Sequence, residues 1–367
     1  MINFCTLFDS YYLDKGLCLY RSLEKVSRDF TLYIFCFDEK SQMVLNSMEL
    51  KHAVILSNKD IEAEDNKLLE LKQERSKAEY CWTCTSVIIE YVLQHYDVDH
   101  CIYIDADLYF FSDPQVLLDE IHEAGANVVI TEHRFSDSWK DQRTMKRSGK
   151  YCVEFNYFDQ SDNAKEALTW WKERCYEWCY HLYEPERMGD QKYLEKFPKL
   201  FQGVHELQHL GGGVAPWNLA QYEYVGEKPV KTGVQPIAGS ASDTEQPANE
   251  SGPFNTTEQP TESVIYLLDK KTGKEFPVVF YHFQNIRYLS EKKVNISSET
   301  HSKPTKDALY RPYLKAIEAC RRELLTYGVT FGVKKVYSSN KLIAFLQGTV
   351  LRFRIKSLSD IYDLEKL

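Results

Sequence analysis

The sequence predicts an α/β fold, a mostly parallel central sheet with helices on both faces. Three observations point to it. Apolar runs such as Phe30–Phe37 are continuous rather than alternating, as strands buried on both faces require. These runs alternate with helix-period stretches, which implies right-handed crossovers. One run, Cys101–Ile104, ends abruptly in Asp105-Ala106-Asp107, and strand ends are where open α/β sheets bind ligands.

Taken in order, Phe4–Phe8 reads as a first strand and Asp9–Gly16 as a loop. Leu17, Leu19, Tyr20 and Leu23 then begin a helix. Phe30–Phe37 is a second strand, Ser41–Leu50 helical, and Ala53–Leu56 a short third strand. Asp60–Glu74 is an exposed, charged helix, and Glu79–His95 a long one whose Val87, Ile88, Tyr91 and Val92 share a face. After the Asp-x-Asp strand, Leu108–Phe111 stays apolar and Ser112-Asp113-Pro114 starts a helix running to Ala124. Asn127–Thr131 is a strand, residues 134–150 a polar, basic loop able to cover a site, and Tyr151–Phe158 another strand. Ala164–His181 is an aromatic-rich helix, Met188–Gln191 opens a short one, and Leu210–Asn218 follows a strand-like His205–Leu207.

Residues 228–263 break the pattern, being rich in Pro, Gly, Ser, Thr, Asn, Gln and Glu. They read as a flexible surface insertion. Val264–Asp269, a turn at Lys270–Lys274 and Val278–Phe283 form a hairpin by pattern, and residues 307–327 an amphipathic helix. The expected organisation is a catalytic domain over 1–290 and a helical, basic extension over 291–367. The tail Lys334–Lys356 can lie on an acidic membrane surface, dock as a helix or meet a partner.

Composition narrows the function. The chain has 367 residues and a formal charge of −9, with no strongly basic domain, so no nucleic-acid partner is expected. Met1-Ile2-Asn3-Phe4 runs straight into a strand without a basic n-region, so a cytoplasmic location is expected, with the ten Cys mostly reduced. Cys81/Cys84 and Cys175/Cys179 sit in helical stretches without zinc-ribbon spacing and read as packing residues.

Four separated pieces carry chemistry. Asp105 and Asp107 repel one another, and a hard divalent cation relieves that repulsion. His282, ending the run Val278–Tyr281, offers an imidazole as a third ligand. Gly189-Asp190-Gln191 starts a helix, where side chains and backbone N–H groups can hold hydroxyls. Gly211-Gly212-Gly213 admits close backbone approach, but no Lys-Ser/Thr follows, so it is not a phosphate-binding loop of the ATPase kind.

These residues resemble those of metal-dependent glycosyltransferases of the GT-A fold, in the family 8 and glycogenin-like group. The resemblance covers roughly residues 2–220 and 276–290. It rests on Thr6-Leu7, Lys15-Gly16, Lys77–Trp82, Tyr103–Leu108, Gly189–Gln191, Ala215–Asn218 and Tyr281–Phe283. It implies that Asp105, Asp107 and His282 bind Mn²⁺ or Mg²⁺, which grips the diphosphate of a UDP-sugar. Thr6, Asp9 and Tyr12 would line the base pocket, with Gly212 near the donor. Lys77 would reach the diphosphate or sugar, and Asp190 and Gln191 would flank the transferred sugar and a carbohydrate or glycolipid acceptor. Retention of anomeric configuration is implied. The family's His-Phe-x-Gly…Lys-Pro-Trp ending is replaced by His282–Arg287, so Arg287 would stand in for the Lys.

Rival readings are weaker. An Asp-nucleophile phosphatase wants Thr or Val where Leu108 stands. A glycoside hydrolase needs two carboxylates flanking a bond, which Asp105 and Asp107 are too close in sequence to do. A catalytically idle nucleotide-sugar binder would share the site and differ only in turnover.

Overall fold

A computed structural model describes residues 1–27, 29–229, 263–296, 302–332 and 361–367. Most of the predicted 228–263 insertion and the whole Lys334–Lys356 tail therefore lie outside the described residues.

The strands are β1 (Ile2–Phe8), β2 (Phe30–Cys36), β3 (Ala53–Ser57), β4 (His100–Ile104) and β5 (Leu108–Phe110). Then come β6 (Val128–Glu132), β7 (Tyr151–Asp159), β8 (Val204–Glu206), β9 (Tyr222–Pro229) and β10 (Ser263–Asp269). The short strands β11 (Glu275–Pro277), β12 (Phe280–His282), β13 (Arg287–Ser290), β14 (Lys293–Asn295) and β15 (Ile361–Asp363) complete the set. The central sheet has seven strands in the order β3-β2-β1-β4-β7-β6-β8. Pairings within it are parallel except those of β7, which runs antiparallel to both neighbours.

Helices cover both faces, as predicted. One core contains Leu13–Leu23 of α1 (Leu13–Val26), Val44 and Leu45 of α2 (Glu39–Ser47), and Leu117–Ile121 from the helix Gln115–Glu123. The opposite core holds Leu68 of the helix Asn66–Glu74, Cys84–Val92 of α5 (Lys77–His95), and Ala164–Cys175 of α8 (Asp162–Glu177). The ten cysteines are free, and all but Cys81 are buried, as packing residues should be.

Several boundaries differ from the sequence reading, each for a local reason. The expected Asp9–Gly16 loop ends at Tyr12, and α1 begins at Leu13, because Leu13 and Leu17 already face the core. The expected helix Asp60–Glu74 is two, α3 (Asn58–Glu64) and α4 (Asn66–Glu74). Asp65 breaks it by taking an extended conformation and capping Lys67 N–H. The expected loop 134–150 contains α7 (Trp139–Ser148), started by Ser138, whose hydroxyl accepts from Asp141 N–H at 3.2 Å, and stopped by Gly149 at φ 100°. None of its residues is buried. The predicted hairpin is only half a hairpin. β10 pairs with β11, but Phe280–His282 leaves to pair with β5.

The last helix, α10 (Lys303–Thr326), belongs to the predicted extension. It packs against α1, and its Leu309, Tyr310, Tyr313, Leu314 and Ile317 join the same core. Among the described residues no helix is long and apolar enough to cross a membrane.

Candidate functional site

Register brings the site together. Antiparallel pairing of β12 with β5 sets His282 opposite Leu108, and Phe283 N–H donates to Asp107 C=O at 2.9 Å. His282 therefore lands beside Asp107 although 175 positions separate them in the sequence numbering (282 − 107). Antiparallel pairing of β7 with β4 sets Phe155 opposite Ile104, so Glu154 lies beside Asp105, whose N–H donates to Glu154 C=O at 3.2 Å. The β4–β5 turn, the end of β12 and the interior of β7 thus deliver three acids and one imidazole to one place.

The geometry is close. His282 Nε2 lies 3.1 Å from Asp107 Oδ1 and 3.7 Å from Asp105 Oδ2. One ligand atom from each of Asp105, Asp107 and His282 fits within a 4.8 Å span. The other face of the ring is also engaged, with Nδ1 2.7 Å from Glu154 Oε2. Lys15 donates to Asp107 Oδ2 at 3.2 Å while lying 4.0 Å over the Tyr12 ring. Tyr103 donates its hydroxyl to Asp105 Oδ1 at 2.9 Å. The Trp217 ring meets His282 edge-on at 5.2 Å between centroids, and its indole N–H is buried without a partner.

Electrostatics separate the two aspartates. Burial pushes Asp105 up to about 7, with the Asp107 charge adding to it and His282 opposing. Burial acts on Asp107 in the same direction, but Lys15 and His282 together outweigh it and hold that carboxyl well below the usual range. Burial tends to strip His282 of its proton, yet Asp107, Cys152 and Glu154 hold it well above an ordinary histidine value. Asp190 is raised to about 7, first by burial and then by the charge of Asp105. A cluster that holds one carboxyl near neutrality and a proton on its imidazole is short of positive charge. Two carboxylates and an imidazole are a donor set suited to Mn²⁺ or Mg²⁺, so the residues fit the cation that the resemblance implies.

The other predicted residues fall in three groups. Asp9 and Lys77 form an ion pair, and Lys77 also lies 5.3 Å over the Tyr11 ring. Tyr12 stands beside Lys15, and Thr6 is buried on β1 with its hydroxyl unpartnered. Thr6 lies within β1, Asp9 and Tyr12 follow its end, and Lys77 opens α5. Asp190 sits near enough to Asp105 to feel its charge, and Trp171 Nε1 donates to its backbone carbonyl at 2.9 Å.

Gln191 and Gly212 make their described contacts with other parts of the chain, and Arg287 is exposed. Gln191 donates its amide to Ser148 C=O at 2.6 Å, at the end of α7. Next to it, buried Lys192 donates to Lys146 C=O at 2.8 Å and Glu184 C=O at 3.0 Å. Gly212 faces inward, where a Cβ would meet Leu207 and Leu117 at 2.9 and 3.0 Å. Gly213 is the glycine beside Glu154. Its φ of +108° suits glycine, and a Cβ would lie 3.2 Å from Glu154 Oε1. Arg287 is exposed on β13, and among the described residues no ion pair joins it to the acids.

Two site residues were not singled out as such from sequence. Glu154 carried a usable signal, a charged residue inside a buried, mostly apolar strand. Lys15 carried only its place in the family pattern, since nothing near it in sequence points to Asp107.

No family model matches the chain. Among curated proteins, it is 27% identical over 317 residues to the uncharacterized protein YfnD of Bacillus subtilis, covering 85% of this chain and 87% of YfnD. It is 30% identical over 224 residues to the uncharacterized protein YfnF of the same organism, covering 60% of this chain and 73% of YfnF. Among solved structures, one similar chain is the galactosyltransferase LgtC in complex with donor and acceptor sugar analogs. The two are 12% identical with a TM-score of 0.45, over 87% of this chain and 96% of that one. Mouse xyloside xylosyltransferase 1 is 14% identical with a TM-score of 0.39, over 59% and 87%. The structural likenesses are distant; the relation in sequence is the firm one, and by it the chain belongs to the family of Bacillus subtilis YfnF.

Proposed function

We propose that this protein is a glycosyltransferase of GT-A type. It moves a sugar from a nucleotide-sugar donor, a UDP-sugar, to a carbohydrate or glycolipid acceptor, with retention and with Mn²⁺ or Mg²⁺. The observation that carries the reading is the meeting of Asp105, Asp107 and His282 within 4.8 Å at the sheet's carboxyl edge, with Lys15 against Asp107. Asp105, Asp107 and His282 are the residues that would hold the cation. When bound, it supplies Lewis-acid neutralisation of the charge that grows on the leaving diphosphate.

The chain's own residues do the rest. Lys15 and Lys77 add positive charge on the side where a diphosphate would lie. Asp190 orients sugar hydroxyls. In the transfer, the donor's anomeric C–O bond breaks and a bond from that carbon to the acceptor oxygen forms. The acceptor's proton passes to the departing phosphate oxygen, so the scheme needs no separate strong base.

Calorimetry against a panel of nucleotide sugars, with and without Mn²⁺, tests this. One UDP-sugar should bind in a metal-dependent way, and Asp105→Ala or Asp107→Ala should abolish that binding while leaving the fold intact by circular dichroism. Donor binding and turnover unchanged in either variant would overturn the reading.

A further inference from the structure

A neutral imidazole has one proton and one free lone pair. For His282 to ligate a cation beside Asp105 and Asp107, Nε2 must present the lone pair, so the remaining proton must sit on Nδ1. The ring must also be kept from turning about its bond to Cβ. Both demands fall on whatever faces Nδ1, and that group is Glu154, 2.7 Å away.

Glu154 is built to stay there. Its side chain is 0% exposed, and the Asp105 N–H bond to its carbonyl fixes its backbone beside the acid pair. Its second oxygen, Oε1, is buried with no hydrogen-bond partner, so no rival donor draws the carboxylate away from the ring. Gly213 leaves that oxygen its space. A carboxylate half-satisfied and fully out of water is expensive for the fold. Packing alone gives no reason for it, since an apolar side chain of that size would fill the same volume at less cost.

We propose that Glu154 is the positioning residue of the cation site. It accepts the Nδ1–H of His282, fixes the tautomer and turns the Nε2 lone pair toward Asp105 and Asp107. The proposal rests on reading those three residues as cation ligands, and it adds a residue that the sequence motif does not contain. It also bears on Cys152, which forms a second possible ligand trio with Glu154 and His282. A neutral ring has one lone pair, so the two trios compete for it, and with Nδ1–H held by Glu154 that lone pair faces Asp105 and Asp107.

Mn²⁺ titration of the full chain, followed by electron paramagnetic resonance, decides the matter. Pulsed measurement of the nitrogen coupling to bound Mn²⁺ supplies a readout independent of turnover. Glu154→Gln keeps an acceptor and should bind Mn²⁺ within a few-fold of the parent. Glu154→Met keeps the volume without the acceptor. It should bind about 10–100-fold more weakly and lose the directly bonded nitrogen signal. Glu154→Asp, which withdraws the carboxylate by one methylene, should move the same way and serves if the Met variant does not fold. Cys152→Ser should bind as the parent does. Parent-like affinity and nitrogen coupling in a folded Met or Asp variant would overturn the proposal, as would lost Mn²⁺ binding in Cys152→Ser. Failure of the parent to bind Mn²⁺ would overturn the underlying cation reading as well, an outcome distinct from the others.

Discussion

Asp190 carries a carboxyl raised from 3.8 to about 7, by burial first and the Asp105 charge second. The folded chain therefore holds a proton at this position, over the window between those values, that the unfolded chain gives up. Stability contributed here falls as pH rises through that window. Asp190→Asn removes the ionisable group, so it should raise the melting temperature at about pH 8 and the gain should shrink as pH falls toward 4. A gain independent of pH, or none, would show that the carboxyl is not penalised. The proton on His282 makes the opposite kind of statement about ligand. Because the cluster holds it well above an ordinary histidine, a cation bound as proposed would have to displace it from Nε2. Mn²⁺ affinity measured by calorimetry should climb as pH rises across neutrality, with proton release detectable by changing the buffer's ionisation enthalpy. At this scale the sequence was most legible where chemistry and strand end coincide, as at Asp105-Ala106-Asp107. It was least legible where one partner is far along the chain. Glu154 and His282 are 128 residues apart and Lys15 and Asp107 are 92 apart, and no local pattern encodes such pairings.

Among elements, the turn after β8 depends on one side chain. Arg134 adopts φ 52° and donates from Nη1 to Leu210 and Gly212 carbonyls, and from Nη2 to those of Leu207 and His209, at 2.9–3.2 Å. Charged hydrogen bonds of this kind are individually worth about 1.5–3 kcal/mol and do not simply add. Arg134→Met should cost about 3 kcal/mol in urea unfolding. Arg134→Lys should recover only part of it, since a point charge cannot span four carbonyls. Loss under about 0.5 kcal/mol, the level of an ordinary surface change, would show the fan to be incidental. The order of strands and helices was readable because buried strands and helices differ in period. Strand direction was not, because an apolar run such as Tyr151–Phe158 reads the same whether its neighbours run parallel or antiparallel. The exchange of β12 from β10 to β5 was hidden for a similar reason. Short strands carry too few residues for a pattern to name their partner.

For the molecule as a whole, α10 is part of the core rather than an appendage. Tyr313 stacks on Phe283 at 3.7 Å between centroids, one residue from His282, and Arg321 forms an ion pair with Asp14 of α1 at 3.6 Å. A chain ending before residue 303 would expose that apolar surface, so it should fail to fold, and the intact protein should melt in one calorimetric transition with matching van't Hoff and calorimetric enthalpies. Two resolved transitions would contradict this. The pairing of β9 with β10 has a different kind of consequence. Pro229 and Ser263 are cross-strand neighbours, so the two described chain ends that flank residues 230–262 stand side by side at one point of the sheet. The cost of closing a flexible connection between two adjacent strand ends changes by only about 0.6 kcal/mol per doubling of its length. The fold therefore places little thermodynamic limit on the number of residues that join these two strand ends. An engineer could lengthen, shorten or replace that connection, or graft a foreign module between Pro229 and Ser263, at small cost to the sheet.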